Sequence, residues 1–530
     1  MMRLLIQKYQ WILVLLVAVV GGGFCMDLGH EWGDDFAMYL NQAQCWIGGG
    51  MDALCTANKA CMDTSDGLLG PYLYPQGFPL FLSFFQRLFE QLGLSGLSLL
   101  YALKWANFGF FVLVLLAYLR LLNGVFEGHW GKIFLGFVLI AWHPKIWESA
   151  DRLNSDLWFS ALVILFFYAL NTSFKGWLSR ALTLSLLIFV ASASRSNGVF
   201  LVAAWFVAEW VDFRKTGKAE NRVVALMMGT MAGLFALYAD AGNGSNHWQL
   251  LKEIEFSTIV HNLGVYTEMA GSFPYWHFAT LVKLILYPVL WLLVIVFWGI
   301  VFVGFRVAGQ YKWGMAVFVL LNFGLYIVWP SVQGMRFLFP LLPLLSVFFV
   351  GGLAQTWKSK ISEWTQEASW LPGLFRNSQF VVVLGASMVL VQGAMTSVFY
   401  IKRDTNEAFS KDMRGVYDFV DEALPLGSRV SFHKPRLLRF VTGVESYRIA
   451  SDYGKETVGV DESVPMKLGL NSALKKLQTH QMDFWILPKK QLVQAQKPAL
   501  PIAFENEGFV IYKISRVDVA PVDGSSNGDE

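Results

Sequence analysis

Along residues 1–400, apolar blocks alternate with short polar connectors. The blocks run to roughly 15–25 residues, the length that carries an α-helix across a bilayer. The pattern predicts spans near 8–28, 97–121, 133–147, 157–171, 178–193, 198–211, 223–239, 278–304, 313–329, 337–355 and 380–400, about 11 in all. Several are shorter than the ~20 residues of a full crossing. The outer loop 29–96 carries its own apolar stretch, Phe78 to Leu92, which reads as a helix lying on the membrane with tyrosines at the interface. After residue 400 the pattern changes to short strands, Arg429 to Phe432, Asp483 to Leu487 and Phe509 to Ile514, between helices at 409–423 and 470–481. The chain therefore divides into a polytopic membrane domain, 1–400, a small α/β domain, 401–516, and a Gly/Ser/Asp-rich tail, 517–530, expected to be disordered.

Composition sharpens this picture. Of 530 residues, 55% are hydrophobic and 15% charged, and the mean hydropathy is +0.45, outside the range of ordinary globular domains. The net charge of +3 is small and not concentrated, which argues against a nucleic-acid partner. The first block reads as a retained helix rather than a cleaved signal, because Gly22-Gly23-Phe24-Cys25 lacks a small-residue cleavage pattern.

Lys and Arg set the orientation. Arg3 and Lys8, Arg120 and Lys132, Lys175 and Arg180, Arg214 to Arg222, Arg306 and Lys312, and Lys358 to Arg376 all fall in alternate connectors. That side is expected to be cytoplasmic. The N-terminus is then inside, and the α/β domain outside the cytoplasm, beyond an inner or plasma membrane. Three of the four cysteines, Cys45, Cys55 and Cys61, fall in the first outer loop. An oxidising compartment permits a disulfide there, with Cys55–Cys61 the expected pair and a set of three free thiols the alternative.

The outer connectors also hold the candidate chemistry. Asp34 and Asp35 open a predicted amphipathic helix, Asp35 to Trp46, with Tyr39 and Gln42 on the face of Asp35. One aspartate suffices to cap that helix. The second is then left for general-base work or metal ligation. Pro71-Tyr72-Leu73-Tyr74-Pro75-Gln76-Gly77-Phe78-Pro79 makes an aromatic turn before the surface helix. The run from His143 to Asp156, with Lys145, Glu148, Asp151 and Arg152 between them, gathers ionisable groups beside the membrane. Much of that run reads as solvated loop, but Asp156 starts a span directly and must face protein or a cavity. Arg195 and Arg336 sit at span ends, where an arginine either snorkels to headgroups or grips a phosphate through its planar fork. His247, His261, Glu255 and Glu268 show no metal-ligand spacing.

The order of these features resembles the GT-C glycosyltransferases, in the bacterial branch similar to protein O-mannosyltransferases and the lipid A aminoarabinose transferase. The resemblance rests on the acid pair after span one, the Pro/Tyr-rich segment, Ser155-Asp156 opening a span, Arg195-Ser196-Asn197-Gly198, and Arg336-Phe337-Leu338-Phe339-Pro340-Leu341-Leu342-Pro343. It covers roughly residues 1–400 and implies transfer from a polyprenyl-phosphate sugar to a hydroxyl of a glycolipid, wall polymer or protein on the outer face. By the same resemblance Asp34 or Asp35 is the base and Asp156 the second acid. Arg195, Arg336 and Arg152 are implied to hold the donor phosphate. Tyr39, Tyr72, Tyr74, Gln76, His143 and Lys145 are implied to line the substrate pocket. No cofactor is certain from the family, and a divalent metal ion is left open, since its branches differ in requiring one. The aminoarabinose branch carries Lys-Pro-Pro where this chain has Pro75-Gln76-Gly77-Phe78-Pro79, so the missing lysine points to a different donor. The rival reading is a flippase for a lipid-linked saccharide. It predicts repeated halves and charges along a path. The sequence has no internal repeat, and its charges gather on one face.

Overall fold

A computed structural model describes residues 28–30, 34–66, 71–217, 221–241, 254–275, 287–308, 312–330, 332–356, 407–450, 453, 469–492 and 495–514, with Ile12 and Met26. The chain forms two compact units: Met1–Leu28 with Leu73–Asp404, and Gly29–Tyr72 with Thr405–Glu530. The segment between the first two expected spans is thus divided, with residues 29–72 in the same unit as the C-terminal region.

Helices in chain order are α1 (Asp34–Gly48), α2 (Met51–Thr64), α3 (Gly77–Gln91), α4 (Gly96–Val125), α5 (Trp130–Ala141) and α6 (Pro144–Ala150). They continue with α7 (Ser155–Asn171), α8 (Trp177–Ser194), α9 (Phe200–Thr216), α10 (Arg222–Ala241), α11 (Phe256–Ser272) and α12 (Tyr287–Val307). Last come α13 (Lys312–Ile327), α14 (Leu342–Thr356), α15 (Lys411–Ala423), α16 (Pro435–Thr442) and α17 (Leu470–Thr479).

In the larger unit, α4, α8 and the Tyr287–Arg306 part of α12 are long and apolar enough to cross a membrane. The pair α6 and α7 passes the same test as one broken segment bent by 118°. α5, α13, α14 and Arg222–Tyr238 of α10 are shorter apolar helices. The expected spans 8–28 and 380–400 lie outside the described residues, apart from Ile12, Met26 and Leu28. Outward side chains such as Met227, Met231 and Phe235 on α10 and Leu292, Ile295 and Phe302 on α12 are exposed and apolar, as hydrocarbon contact requires.

The predicted span 133–147 is broken. α5 stops at Ala141 and α6 starts at Pro144. Proline has no N–H to continue the ladder and fits the first helical position. The Nδ1 of His143 caps the new helix by accepting from the Lys145 N–H at 3.2 Å. Polar bonds between apolar helices fix the bundle. Tyr118 of α4 donates to the Pro343 carbonyl of α14 at 3.2 Å. Buried Glu209 of α9 accepts from Arg180 of α8 at 2.6 Å and also pairs with Arg222 of α10 at 3.5 Å.

The smaller unit contains a five-stranded sheet, β1 (Arg429–Ser431), β2 (Glu445–Tyr447), β3 (Phe484–Pro488), β4 (Ile502–Glu505) and β5 (Phe509–Lys513), in the order β2-β1-β3-β5-β4. β1 pairs parallel with β2 and β3, while β5 runs antiparallel to β3 and β4. Its core holds Tyr453, Trp485, Val510 and Tyr512. α1 packs on α16, and Cys61 of α2 donates its S–H to the Ser446 carbonyl of β2 at 3.2 Å. Cys45, Cys55 and Cys61 are all free, so the expected Cys55–Cys61 bridge is not made. Both residues sit on α2, where six positions put their backbones about 9 Å apart along the axis, beyond disulfide reach. The Val517 to Glu530 tail lies outside the described residues.

Candidate functional site

Asp156 occupies the first turn of α7, where a carboxylate meets the positive end of the helix dipole. Asn154 precedes the helix with extended backbone, and its Oδ1 accepts from the Asp156 N–H at 3.2 Å. Asp156 is 3% exposed, and its carboxylate accepts from Nη1 of Arg195 in a close ion pair. A buried carboxylate is tolerable only with such a partner.

Arg195 sits between α8 and the tight turn Ser196–Val199. Its N–H donates to the Ala191 carbonyl at 2.9 Å, and its own carbonyl accepts from the Gly198 N–H at 2.8 Å. A Cβ on Gly198 would lie 2.5 Å from the Ala191 carbonyl carbon. The spacing Arg-x-x-Gly is therefore steric: only glycine lets the turn fold back on α8. A second close approach brings in α3. A Cβ on Gly77 would lie 2.5 Å from the Ser194 Oγ, so the start of α3 rests on the residue before Arg195. Ser194 also accepts from Nε1 of Trp158 at 2.8 Å, and Trp158 packs against Phe81 of α3 with ring centroids 4.2 Å apart. Tyr74 and Gln76 lead into this junction.

Arg336 lies in the turn Gly334–Leu338, where its Nη2 donates to Oε1 of Gln333. The guanidiniums of Arg195 and Arg336 lie 5.3 and 5.9 Å from the ring centroid of Phe337, within cation–π range. Tyr326 stands 5.0 Å and Trp329 6.1 Å from the same ring.

The other predicted residues of the larger unit form a neighbouring row. Lys145 and Arg152 both engage Glu148, at 2.5 and 2.7 Å, and fully buried Lys104 pairs with Asp151 at 2.5 Å. Arg152, expected on the donor phosphate, shares the Glu148 carboxylate with Lys145. His143 is buried at the start of α6.

Asp34, Asp35, Tyr39 and Tyr72 belong to the smaller unit. Asp34 is the first residue of α1, and its side chain lies outside the described atoms. Asp35 is half-buried, with Tyr39 and Gln42 buried, as helical spacing predicts for one face. Phe36 stacks on His30 with centroids 3.9 Å apart, and the His30 carbonyl accepts from the Ala408 N–H at 3.0 Å. Arg436 of α16 donates to the Pro71 carbonyl at 2.7 Å, and Asn58 of α2 to the Tyr72 carbonyl at 3.0 Å. The Tyr72 hydroxyl donates to Asp63 at 3.3 Å. Burial pushes the Cys45 thiol up from its ordinary value. Among the described residues no three His, Cys, Asp or Glu side chains converge as a metal site.

No protein-family model matches the chain, and no curated protein matches it in sequence. Solved structures do match in shape. ArnT from Cupriavidus metallidurans bound to undecaprenyl phosphate aligns with TM-score 0.55 at 12% identity, covering 96% of this chain and 98% of that one. The archaeal oligosaccharyltransferase AglB from Archaeoglobus fulgidus, in complex with an inhibitory peptide and a dolichol-phosphate, aligns with TM-score 0.53 at 10% identity, covering 98% of this chain and 75% of that one. Both are GT-C enzymes. The chain has the GT-C fold. Within that fold, sequence reasoning singled out Asp156, Arg195 and Arg336 but passed over Phe337, which follows Arg336 directly, and Asn197, which lies inside the Arg-x-x-Gly motif. Tyr266 and Tyr326 gave no sequence signal, since neither lies in a motif and what marks them is contact with residues distant in the chain.

Proposed function

We propose that this chain is a membrane glycosyltransferase that moves a sugar from a polyprenyl-phosphate donor to a hydroxyl acceptor on the outer face of an inner or plasma membrane. The observation that carries this reading is the pair of guanidiniums, Arg195 and Arg336, over Phe337, with Asp156 paired to Arg195. Two planar guanidinium forks turned to one ring suit the recognition of a donor phosphate. The polyprenyl phosphates bound to ArnT and AglB support the same class of donor.

In the proposed reaction the acceptor hydroxyl gives its proton to the carboxylate of Asp34 or Asp35 as its oxygen attacks the anomeric carbon. The bond from that carbon to the phosphate oxygen breaks, and its electron pair leaves with the phosphate. Attack opposite the leaving group inverts the anomeric centre. Arg195 and Arg336 stabilise the charge that develops on the phosphate. Asp156 aims Arg195. Tyr39, Tyr72, Tyr74, Gln76, His143 and Lys145 are assigned to the walls of the substrate pocket, and Arg152 is assigned with Arg195 and Arg336 to the donor phosphate.

The test is sugar transfer in membranes from a null strain complemented with wild type, Asp34→Asn, Asp35→Asn or Arg195→Ala, with and without a divalent-metal chelator. Labelled polyprenyl-phosphate sugars are offered, and lipid, polymer and protein fractions are counted separately. Transfer by wild type that is lost in Arg195→Ala and in one of the Asn variants is expected. Transfer that survives all three substitutions would overturn the site. Movement of labelled lipid across the bilayer without transfer would favour a flippase.

A further inference from the structure

Behind the two arginines lies a set of buried polar groups that the reaction above does not use. Asn197, two residues after Arg195, is 6% exposed and donates from Nδ2 to Oδ1 of Asn322 at 2.6 Å and to the Tyr326 hydroxyl at 3.2 Å. The Tyr326 hydroxyl in turn donates to Asn322 Oδ1 at 3.2 Å, and Asn322 donates to the Phe318 carbonyl at 2.9 Å. These bonds fasten the turn Ser196–Val199 to the far end of α13. Tyr326 also reaches the site with its ring, 5.0 Å from Phe337 and 5.9 Å from Tyr266 on α11. The Tyr266 hydroxyl accepts from the Gln333 N–H at 3.0 Å, and Gln333 accepts from Arg336. Asn262, one helical turn before Tyr266, donates to the Ile327 and Trp329 carbonyls at 3.1 and 2.6 Å, which holds the end of α13 against α11.

A continuous path thus runs from the Arg195 turn through Asn197, Tyr326 and Tyr266 to Gln333 and Arg336. Asn322, Tyr326 and Tyr266 are at most 2% exposed, so no ligand can touch them. A simpler role is general glue between helices, which in apolar surroundings contributes about 1 kcal/mol per bond. That role does not account for the position of the path, which joins the two turns bearing the guanidiniums and passes the one ring they share. We propose that Asn197, Tyr326 and Tyr266 are positioning residues that set the spacing of Arg195 and Arg336, and through it the affinity for the phosphate of the lipid donor. This inference rests on the phosphate-binding role assigned above.

The test measures binding of undecaprenyl phosphate to the full-length protein in detergent micelles. Asn197→Ala and Tyr326→Phe are each made in the wild-type and Arg195→Ala backgrounds, and Tyr266→Phe in the wild-type and Arg336→Ala backgrounds. A shell that orients a charged ligand-binding group is expected to cost about tenfold in Kd when disturbed. That loss should appear in wild type and vanish once the arginine is gone, because a positioning residue has then nothing to position. The same loss in both backgrounds would reduce the path to helix packing and overturn the proposal, as would wild-type affinity in all three single variants. Tyr326→Phe keeps the ring and tests the same link if Asn197→Ala does not fold. Arg195→Ala and Arg336→Ala that both bind like wild type would instead remove the phosphate-binding reading, and the positioning role with it.

Discussion

Arginine is used in opposite ways in the two units. In the membrane unit, Arg195 meets a buried carboxylate and an aromatic face at the end of an apolar helix. In the sheet-bearing unit, Arg436 is 2% exposed yet pairs with no acid among the described residues. Its Nη2 donates to the Pro71 carbonyl, and Arg439, one turn on, donates to Asn58 and to the Ser446 carbonyl, both at 3.3 Å. The difference is one of task. A guanidinium held by a carboxylate beside an aromatic ring is fixed in direction, with its planar fork set for a ligand. One that spends its donors on backbone carbonyls is a bolt, holding a chain segment that has no secondary structure of its own.

The comparison would break first at Arg195. Arg195→Ala strips Asp156 of its partner, and leaving a buried charge unpaired costs about 3–5 kcal/mol. We expect a marked drop in thermal midpoint together with a loss of transfer of about 100-fold or more. Asp156→Asn made in the same chain should restore much of the stability and none of the transfer. Gly198→Ala comes next: its methyl meets the Ala191 carbonyl carbon, and overpacking of this kind costs about 1–3 kcal/mol. Transfer should fall with it, since the turn carries Arg195. Arg436→Met should cost a similar or smaller amount, about 1–3 kcal/mol, by leaving the Pro71 carbonyl without its donor. Here the expected readout is faster hydrogen exchange around residues 71–72 with undecaprenyl phosphate affinity unchanged. A loss of affinity in Arg436→Met would erase the distinction between the two kinds of arginine.

The smallest effect is electrostatic and lies on the surface of the sheet. A hydrogen bond and the charge of Lys489, at 2.6 Å, hold the Glu505 carboxyl below its ordinary value. A carboxyl depressed in the folded state stabilises it above the unfolded value and loses that contribution as the pH falls through the folded one. Lys489→Ala should therefore raise the Glu505 midpoint in an NMR titration toward that of a free glutamate. The pair is exposed, so the thermal midpoint at neutral pH should hardly move.

Much of the bundle could be read from hydropathy, because lipid-facing helices must be apolar over a fixed length. Both α7 and α8 begin and end within two residues of their predicted spans. The α5–α6 break was signalled by Pro144, but the apolar residues on both sides, Ile140 to Trp142 and Ile146 to Trp147, let one hydropathy block run across it. Asp156, Arg195 and Arg336 stood out as charges at span ends, where a charge needs a reason. Phe337, Tyr326 and Tyr266 did not, since an aromatic residue reads the same in the sequence whether it packs in a core or meets a cation or a distant hydrogen-bond partner. In the C-terminal region the long strands β3 and β5 were legible as apolar runs. The three-residue β2 was not, being set by pairing with β1 rather than by its own composition.

The partition of the chain also dictates a timetable. Residues 29–72 are made early but complete their core only with residues beyond 405, roughly 330 positions later. The S–H of Cys61 finds the Ser446 carbonyl across 385 positions of sequence. At about 5–20 residues per second of synthesis, α1 and α2 wait roughly 20–70 s for their partners while the bundle is threaded into the membrane. For that interval Phe36, Met38 and Leu40 have no finished sheet domain to cover them. Newly made chains stalled before residue 405 should therefore be open to proteases in the first loop, and to any chaperone stationed where that loop emerges.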